Sequence, residues 1–445
     1  MVELENVVSL IAEGRFAEAE ARLGTMAEEE PGNQDILQLL SVVLLQQGEF
    51  NRALFWIDRS LALDDHNAGA HFNRAGALYS LGRWSESAKA YQRSLDLGEA
   101  DSAVYRGLGC AMAAMGQDED AKIHLDRALR IAPDCIESRK ALSGIHERCG
   151  AYLLAASEIR RALDHEPYNI ELSRRLADLF EKAGELEMAG TAYYNLGVSL
   201  QRKGDDEEAV KALEKSLALR PNSPKARYSL AMLQGGGVAR APEAYVAGLF
   251  DEYASRFDEH LNSLDYNVPE RLVEALGMLS GESCSYGKVL DLGCGTGKCG
   301  SLLSGRCSFL KGVDLSAGML KKASSKAVYD ALERSEVHAH LEADKGAYDL
   351  ILAADLLIYI GDCASLFAHC SKRLKPGGYF AFSIEAMADG DFRLLKTGRY
   401  AQSEDYIRKL LAQSGLELSW DEQSILRYQS RSPVEGHLFV ASKPR

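Results

Sequence analysis

Six glycines stand in strict register at positions 14, 48, 82, 116, 150 and 184, each 34 residues from the next. Five residues after each comes a small residue: Ala19, Ala53, Ser87, Ala121, Ala155 and Ala189. Seventeen after Gly14, Gly116 and Gly150 stand Pro31, Pro133 and Pro167. Each part has a physical task. The glycine ends one helix in a tight turn, the small residue lets the next helix pack closely, and the proline opens the following unit. Such helix–turn–helix units bury their apolar faces only against their neighbours, so they stack into a one-dimensional array. Units 33–66, 67–100, 101–134 and 135–168 are full length, and residues 1–32 form a shortened first unit. After Gly184 the register breaks: the next turn glycine is Gly204, only twenty residues on, with Ala209 and Pro221 restoring the internal spacings. About one helix is missing. A helix at roughly 186–203 must therefore serve both neighbours, and a last helix near 223–233 caps the array.

A period of 34 with this content resembles the tetratricopeptide repeat (TPR). The resemblance implies an all-α solenoid over residues 1–234 with a concave groove lined by the first helix of each unit, able to hold a protein or peptide. Asn73, Arg74 and Arg106 fall on such helices. A spacer or dimerisation surface is the alternative, and the sequence does not decide. Gln-Gly-Gly-Gly at 234–237 reads as a flexible break and sets the expected domain boundary.

In the second half, 235–445, Val-Leu-Asp-Leu-Gly-Cys-Gly-Thr-Gly at 289–297 reads as a buried strand entering a glycine loop. Gly-Val-Asp-Leu at 312–315 ends a second strand on an acid. Strand, glycine turn, helix and closing acid make one nucleotide-binding half of a doubly wound sheet. Asp291 before the loop and the D-x-G-x-G-x-G spacing differ from the dinucleotide fingerprint. They differ also from the phosphate loop, since Lys298 follows the last glycine without the gap or the hydroxyl such a loop needs.

These residues resemble motifs I and II of the class I S-adenosylmethionine (SAM) methyltransferases. The resemblance implies a Rossmann-like α/β domain with a seven-stranded sheet whose last strand inserts antiparallel. Strands are expected at 288–292, 309–315, 335–341, 348–355, 379–384, 416–426 and 436–442. SAM is the implied cofactor. Asp291 and the loop of Gly293, Cys294, Gly295 and Gly297 would seat its methionine end and ribose, with Cys294 a small filler. Asp314 would hold both ribose hydroxyls. Leu315 and Met319 would flank adenine, or simply fill the core. Glu336 best fits the acid that meets the adenine amine, with Asp344 and Glu342 competing.

Residues 242–261 place Leu249, Phe250, Tyr253, Phe257 and Leu261 at helical spacing. That pattern resembles the lid helix of bacterial TPR-linked methyltransferases; Tyr253 and Phe257 would close over the cofactor, or the helix would pack on the sheet edge. GVDLSAGML (312–320), DLILAADLLIYIGD (349–362), LKPGGYFAFSIE (374–385) and GRYAQS (398–403) extend the resemblance along the chain, except that the family more often carries His where this chain has Gln402. Asp355, ending strand four beside Leu356, would lie next to the transferred methyl and bind the cofactor's ammonium or steer the acceptor. Tyr359, Glu385, Arg399 and Tyr400 are the remaining candidates for the acceptor face: Glu385 to accept a proton or pair with an amine, Arg399 to bind a carboxylate.

Composition narrows the partners. The net charge is −14 with 51 basic and 65 acidic residues, so no basic platform exists to displace counterions from nucleic acid. No run of eighteen apolar residues suggests a membrane span. Nine scattered cysteines without a C-x-x-C pair read as reduced thiols, and the expected location is cytoplasmic. No metal motif is present. The expected function is methyl transfer from SAM to a protein or peptide recruited by the repeats, with a small-molecule acceptor and an assembling role for the repeats as the alternative.

Overall fold

The computed structural model describes residues 2–281, 285–429 and 432–445. They form two compact units: Met1–Asp205 with Ala218–Arg220, and Asp206–Leu217 with Pro221–Arg445.

The first unit is a succession of paired helices from Val2–Ala12 to Leu186–Lys203. All six register glycines take left-handed backbone, φ between +73° and +78°, where a Cβ is strained. The five alanines and Ser87 that stand five residues after them are wholly buried. A second periodic feature was not expected from the sequence. Asn33, Asn67, Asp101 and Asn169 each cap a first helix by accepting from the amide three residues on, while Cys135 holds the same register without a capping bond. The shortened interval after Gly184 is filled by one 18-residue helix, Leu186–Lys203, ending on Gly204 at φ +86°.

In the second unit the helix Pro224–Gln234 shares a core with segments downstream of it. Tyr228 is fully buried against the rings of Tyr245 and Tyr400, 5.0 and 6.4 Å away, and donates a 3.0 Å hydrogen bond to the Gly398 carbonyl. Gly235, at φ +75°, ends the helix. The glycine run is thus a helix stop, and the two compact units divide some thirty residues earlier, at Asp205.

The sheet comprises β1 (Tyr286–Leu292), β2 (Cys307–Asp314), β3 (Ala331–Arg334), β4 (Tyr348–Ala353), β5 (Leu374–Met387), β6 (Phe392–Leu394), β7 (Tyr400–Ser403), β8 (Glu417–Gln429) and β9 (Ser432–Ser442). β3-β2-β1-β4-β5 run parallel. β9 lies antiparallel against β5, with β8 outside it, completing the expected seven strands. β6 and β7 were not foreseen: β7 pairs with the far end of β5 at Glu385–Met387 and β6 closes on it. Strand three was misplaced. Residues 337–343 are a helix because the Glu336 carboxylate caps it, accepting from His338 and Ala339 amides, and the strand lies just before it. The strands bury both faces: one carries Leu290, Ile351, Phe380 and Phe382 under the helices Ala364–Arg373 and Glu404–Gln413; the other carries Val289, Leu350 and Val440 under the helix Val268–Ser280. Strand order reverses between β1 and β4, which opens a crevice at their carboxyl ends.

The lid is not one helix. It runs Glu243–Tyr253, then a 3₁₀ turn at Ala254–Arg256, then Phe257–Ser263. No helix among the described residues is long and apolar enough to cross a membrane.

Candidate functional site

The crevice is a cavity of about 380 Å³ bounded by the glycine loop, the ends of β2, β4 and β8, and the lid. Apolar side chains dominate its wall. Phe250, Tyr253 and Phe257 pack edge to face, centroids 5.8–5.9 Å apart, and Phe250 meets Tyr359 at 5.5 Å.

One end is built from backbone. Gly293, Gly295 and Gly297 have φ of +67°, +54° and +86°. A Cβ on Gly293 would come within 3.1 Å of Leu356 Cδ1, so only glycine lets the loop lie this close. The Asp314 carboxylate faces the loop and accepts from the amides of Gly295 (2.9 Å) and Ser316 (2.8 Å). Burial pushes its pKa above the ordinary carboxylate value, against these two bonds. Asp291 is buried below the loop and lies outside the cavity wall. It accepts a 2.6 Å bond from the Tyr329 hydroxyl, and burial raises its pKa to about 7. The lid is fastened at this end. Asp251 accepts from Ser316 Oγ (2.5 Å) and the Gly318 amide (3.0 Å), and Asp258 accepts from Thr296 Oγ1 at 2.5 Å.

Leu315, Met319, Glu336 and Leu356 all reach the cavity. Glu336 does so with its oxygens committed: besides capping the helix, it meets His338 Nδ1 at 2.8 Å and Arg240 at 3.6 Å. Burial drives its pKa up, and these bonds outweigh that to leave it low. Cys294 lines the wall, its thiol pushed up by burial.

The other end is built from side chains. Asp355 follows β4 with φ +53°, a left-handed conformation rare for a non-glycine residue. Its amide donates to Ser383 Oγ at 2.9 Å, and the same hydroxyl donates to Asp355 Oδ1 at 3.2 Å. Arg427 bridges Asp355 (3.3 Å) and Glu385 (2.6 Å). Burial raises Glu385, while Arg427 and Arg399 oppose the shift. Tyr359 and Arg399 line the cavity, and Arg399 donates to Gln429 Oε1 at 2.9 Å.

Besides Asp291, three expected site residues stand apart from the wall. Gly297 only shapes the loop, and Glu385 sits behind Arg427. Tyr400 is fully buried and donates to the Val238 carbonyl at 2.7 Å, so it anchors the chain before the lid. Gln402 is also buried. Its amide donates to the carbonyls of Leu357 and Ile360 at 2.9 and 2.8 Å and holds the turn after Asp355. Arg427 and Ser383 were missed altogether.

A doubly wound sheet with a glycine loop, a closing acid and a roofed crevice defines a domain that binds an adenosyl-type ligand. Comparison with known proteins narrows the class. Residues 289–378 match a family model described as a methyltransferase domain, and residues 10–70, 57–103 and 190–223 match tetratricopeptide repeat models. The chain thus joins TPR repeats to a methyltransferase domain. It is 34% identical over 130 residues to a ubiquinone biosynthesis O-methyltransferase of Thiobacillus denitrificans, 28% of this chain and 53% of that protein. Against the protein of that name from Vibrio cholerae the identity is 30% over 142 residues, 30% of this chain and 57% of that one. The chain thus spans about half the length of these curated relatives. Similar solved structures include an N-methyltransferase of Bradyrhizobium japonicum in complex with S-adenosyl-L-homocysteine, at 21% identity and TM-score 0.37 over 45% of this chain and 99% of that one.

Proposed function

We propose that the protein transfers the sulfonium methyl of SAM to a small-molecule acceptor held beneath the lid. One observation carries this: a single, largely apolar cavity has a glycine-loop end closed by Asp314 and an opposite end floored by Asp355. The residues fit the cofactor. The loop offers close backbone, Asp314 keeps lone pairs for two ribose hydroxyls, and Leu315 and Met319 supply flat apolar walls for adenine. When bound, SAM supplies an electrophilic methyl with a neutral leaving group. The chain's part is position and solvent exclusion. Phe250, Tyr253 and Phe257 roof the site, and Asp355 faces the acceptor. The names of the O-methyltransferase relatives favour a small acceptor, as does the roof.

The test is to incubate the protein with tritiated SAM and cell extract. Label in the small-molecule fraction is expected; label only in macromolecules would reject the small-acceptor reading. In that case the second reading applies, delivery of a protein or peptide by the repeats. It draws on an apolar groove in the first unit lined by Leu163, Tyr168, Phe180, Met188 and Val198, where Tyr168 and Met188 are exposed.

A further inference from the structure

The least expected group in the cavity wall is a guanidinium. Arg427 is 2% exposed, yet it lies in β8, where strict alternation would put it on the same side as the exposed Ile425. A bulge between Ile425 and Arg427 breaks the register and turns consecutive residues, Leu426 and Arg427, inward. Its two terminal nitrogens hold Glu385 and Asp355. Its Nε is buried with no hydrogen-bond partner among the described residues. Asp355, which this guanidinium holds, stands in the cavity wall and is the group a ligand meets. Two carboxylates, Asp355 and Glu385, are matched here by two guanidiniums, Arg427 and Arg399, so this end of the cavity is neutral. A charged acceptor would bury an uncompensated charge.

Resting on the methyl-transfer reading above, we infer that Arg427 is the positioning and specificity residue of the acceptor end. It fixes Asp355 for the hydroxyl of a neutral, largely apolar acceptor. That hydroxyl donates to Asp355. In the transfer its oxygen attacks the methyl carbon. The O–C bond forms as the C–S bond breaks, the bonding pair stays on sulfur as a neutral thioether, and the hydroxyl proton passes to Asp355. An ammonium would set donors against Arg427, and a carboxylate would face Asp355.

The full-length protein is assayed with tritiated SAM and three probes of similar shape: 4-hexylphenol, 4-hexylbenzylamine and 4-hexylbenzoate. Label is expected on the phenol at least ~10-fold above the others, the scale of one misplaced hydrogen bond to a charged group. Arg427→Lys keeps charge but loses the planar fork. It should lower kcat on the phenol about tenfold or more, with KM changed less, while the affinity for S-adenosylhomocysteine by calorimetry stays within about twofold. A merely structural arginine would instead weaken both together. If Arg427→Lys no longer binds the homocysteine product, Ser383→Ala decides, since it loosens Asp355 without altering charge: lowered kcat supports the inference, unchanged kcat overturns it. Label on the benzylamine or benzoate instead, label on none of the three, or an unchanged kcat in Arg427→Lys also overturns it. If the native protein binds neither SAM nor its product, the methyl-transfer reading falls first and this inference with it.

Discussion

The two ends of the cavity are assembled by different means. The glycine-loop end is built mostly from one part of the chain, residues 293–319, in which backbone glycines and the Asp314 carboxylate face the cavity. The opposite end gathers side chains from the end of β4, from β5 and from β8, elements spread over more than seventy residues, around a charge cluster. A backbone-built end tolerates change in most side chains, because its shape depends on φ values. An end built from charge-paired side chains depends on each member, since removing one leaves a buried partner uncompensated.

That difference can be broken or sharpened by experiment. The largest expected effect is at Asp355: Asp355→Asn should lower kcat about 10²–10³-fold with product affinity nearly unchanged, and a parallel loss of binding would erase the division between the two ends. Asp314→Ala should act oppositely, weakening binding of S-adenosylhomocysteine about a hundredfold, the scale of two hydrogen bonds to a charged group; calorimetry reads it, and an affinity equal to the native one would show that the ribose is held elsewhere. Phe257→Ala should raise KM for SAM about tenfold through loss of one roof ring, a shift in kcat alone speaking against a lid.

The buried Asp291 gives a pH test of the cofactor end. Its folded pKa, about 7, is above the ordinary value of 3.8. Its contribution to stability is therefore fully present below the unfolded pKa and is lost as pH rises through 7. Asn mimics the protonated form. The melting-temperature advantage of Asp291→Asn should thus shrink by roughly 4 °C between pH 7.5 and 5.5, and an advantage independent of pH would mean the carboxylate is already ionised at the lower pH. The smallest effect lies outside the cavity: Tyr228→Phe removes one buried hydrogen bond and should lower the melting temperature by about 2–4 °C, with kcat unchanged. No shift in melting would show that the Gly398 contact contributes nothing.

Legibility in the sequence split along the same line. The glycine loop and Asp314 lie close together in the chain, so their spacing carried the information. The repeat glycines were equally plain, because left-handed backbone selects the residue at fixed intervals. Strand three was misread because β3 is only four residues, Ala-Leu-Glu-Arg, and Glu336 starts a helix where a strand was expected. Arg427 left no trace: an arginine in a strand reads as a solvated edge until a bulge turns it inward, and bulges have no sequence period. Tyr400 and Arg399 were both candidates for the acceptor face, and only the fold reveals that Arg399 lines the cavity while Tyr400 is buried.

Repeat arrays ordinarily lengthen or shorten by whole modules at either end, because each module meets only its neighbours. Here the helix carrying Tyr228 is also a wall of the tyrosine core that seats Tyr400. Modules upstream of Gly204 are interchangeable in principle; this last one is not. Exchanging the Tyr228 helix would therefore disturb the core that seats Tyr400.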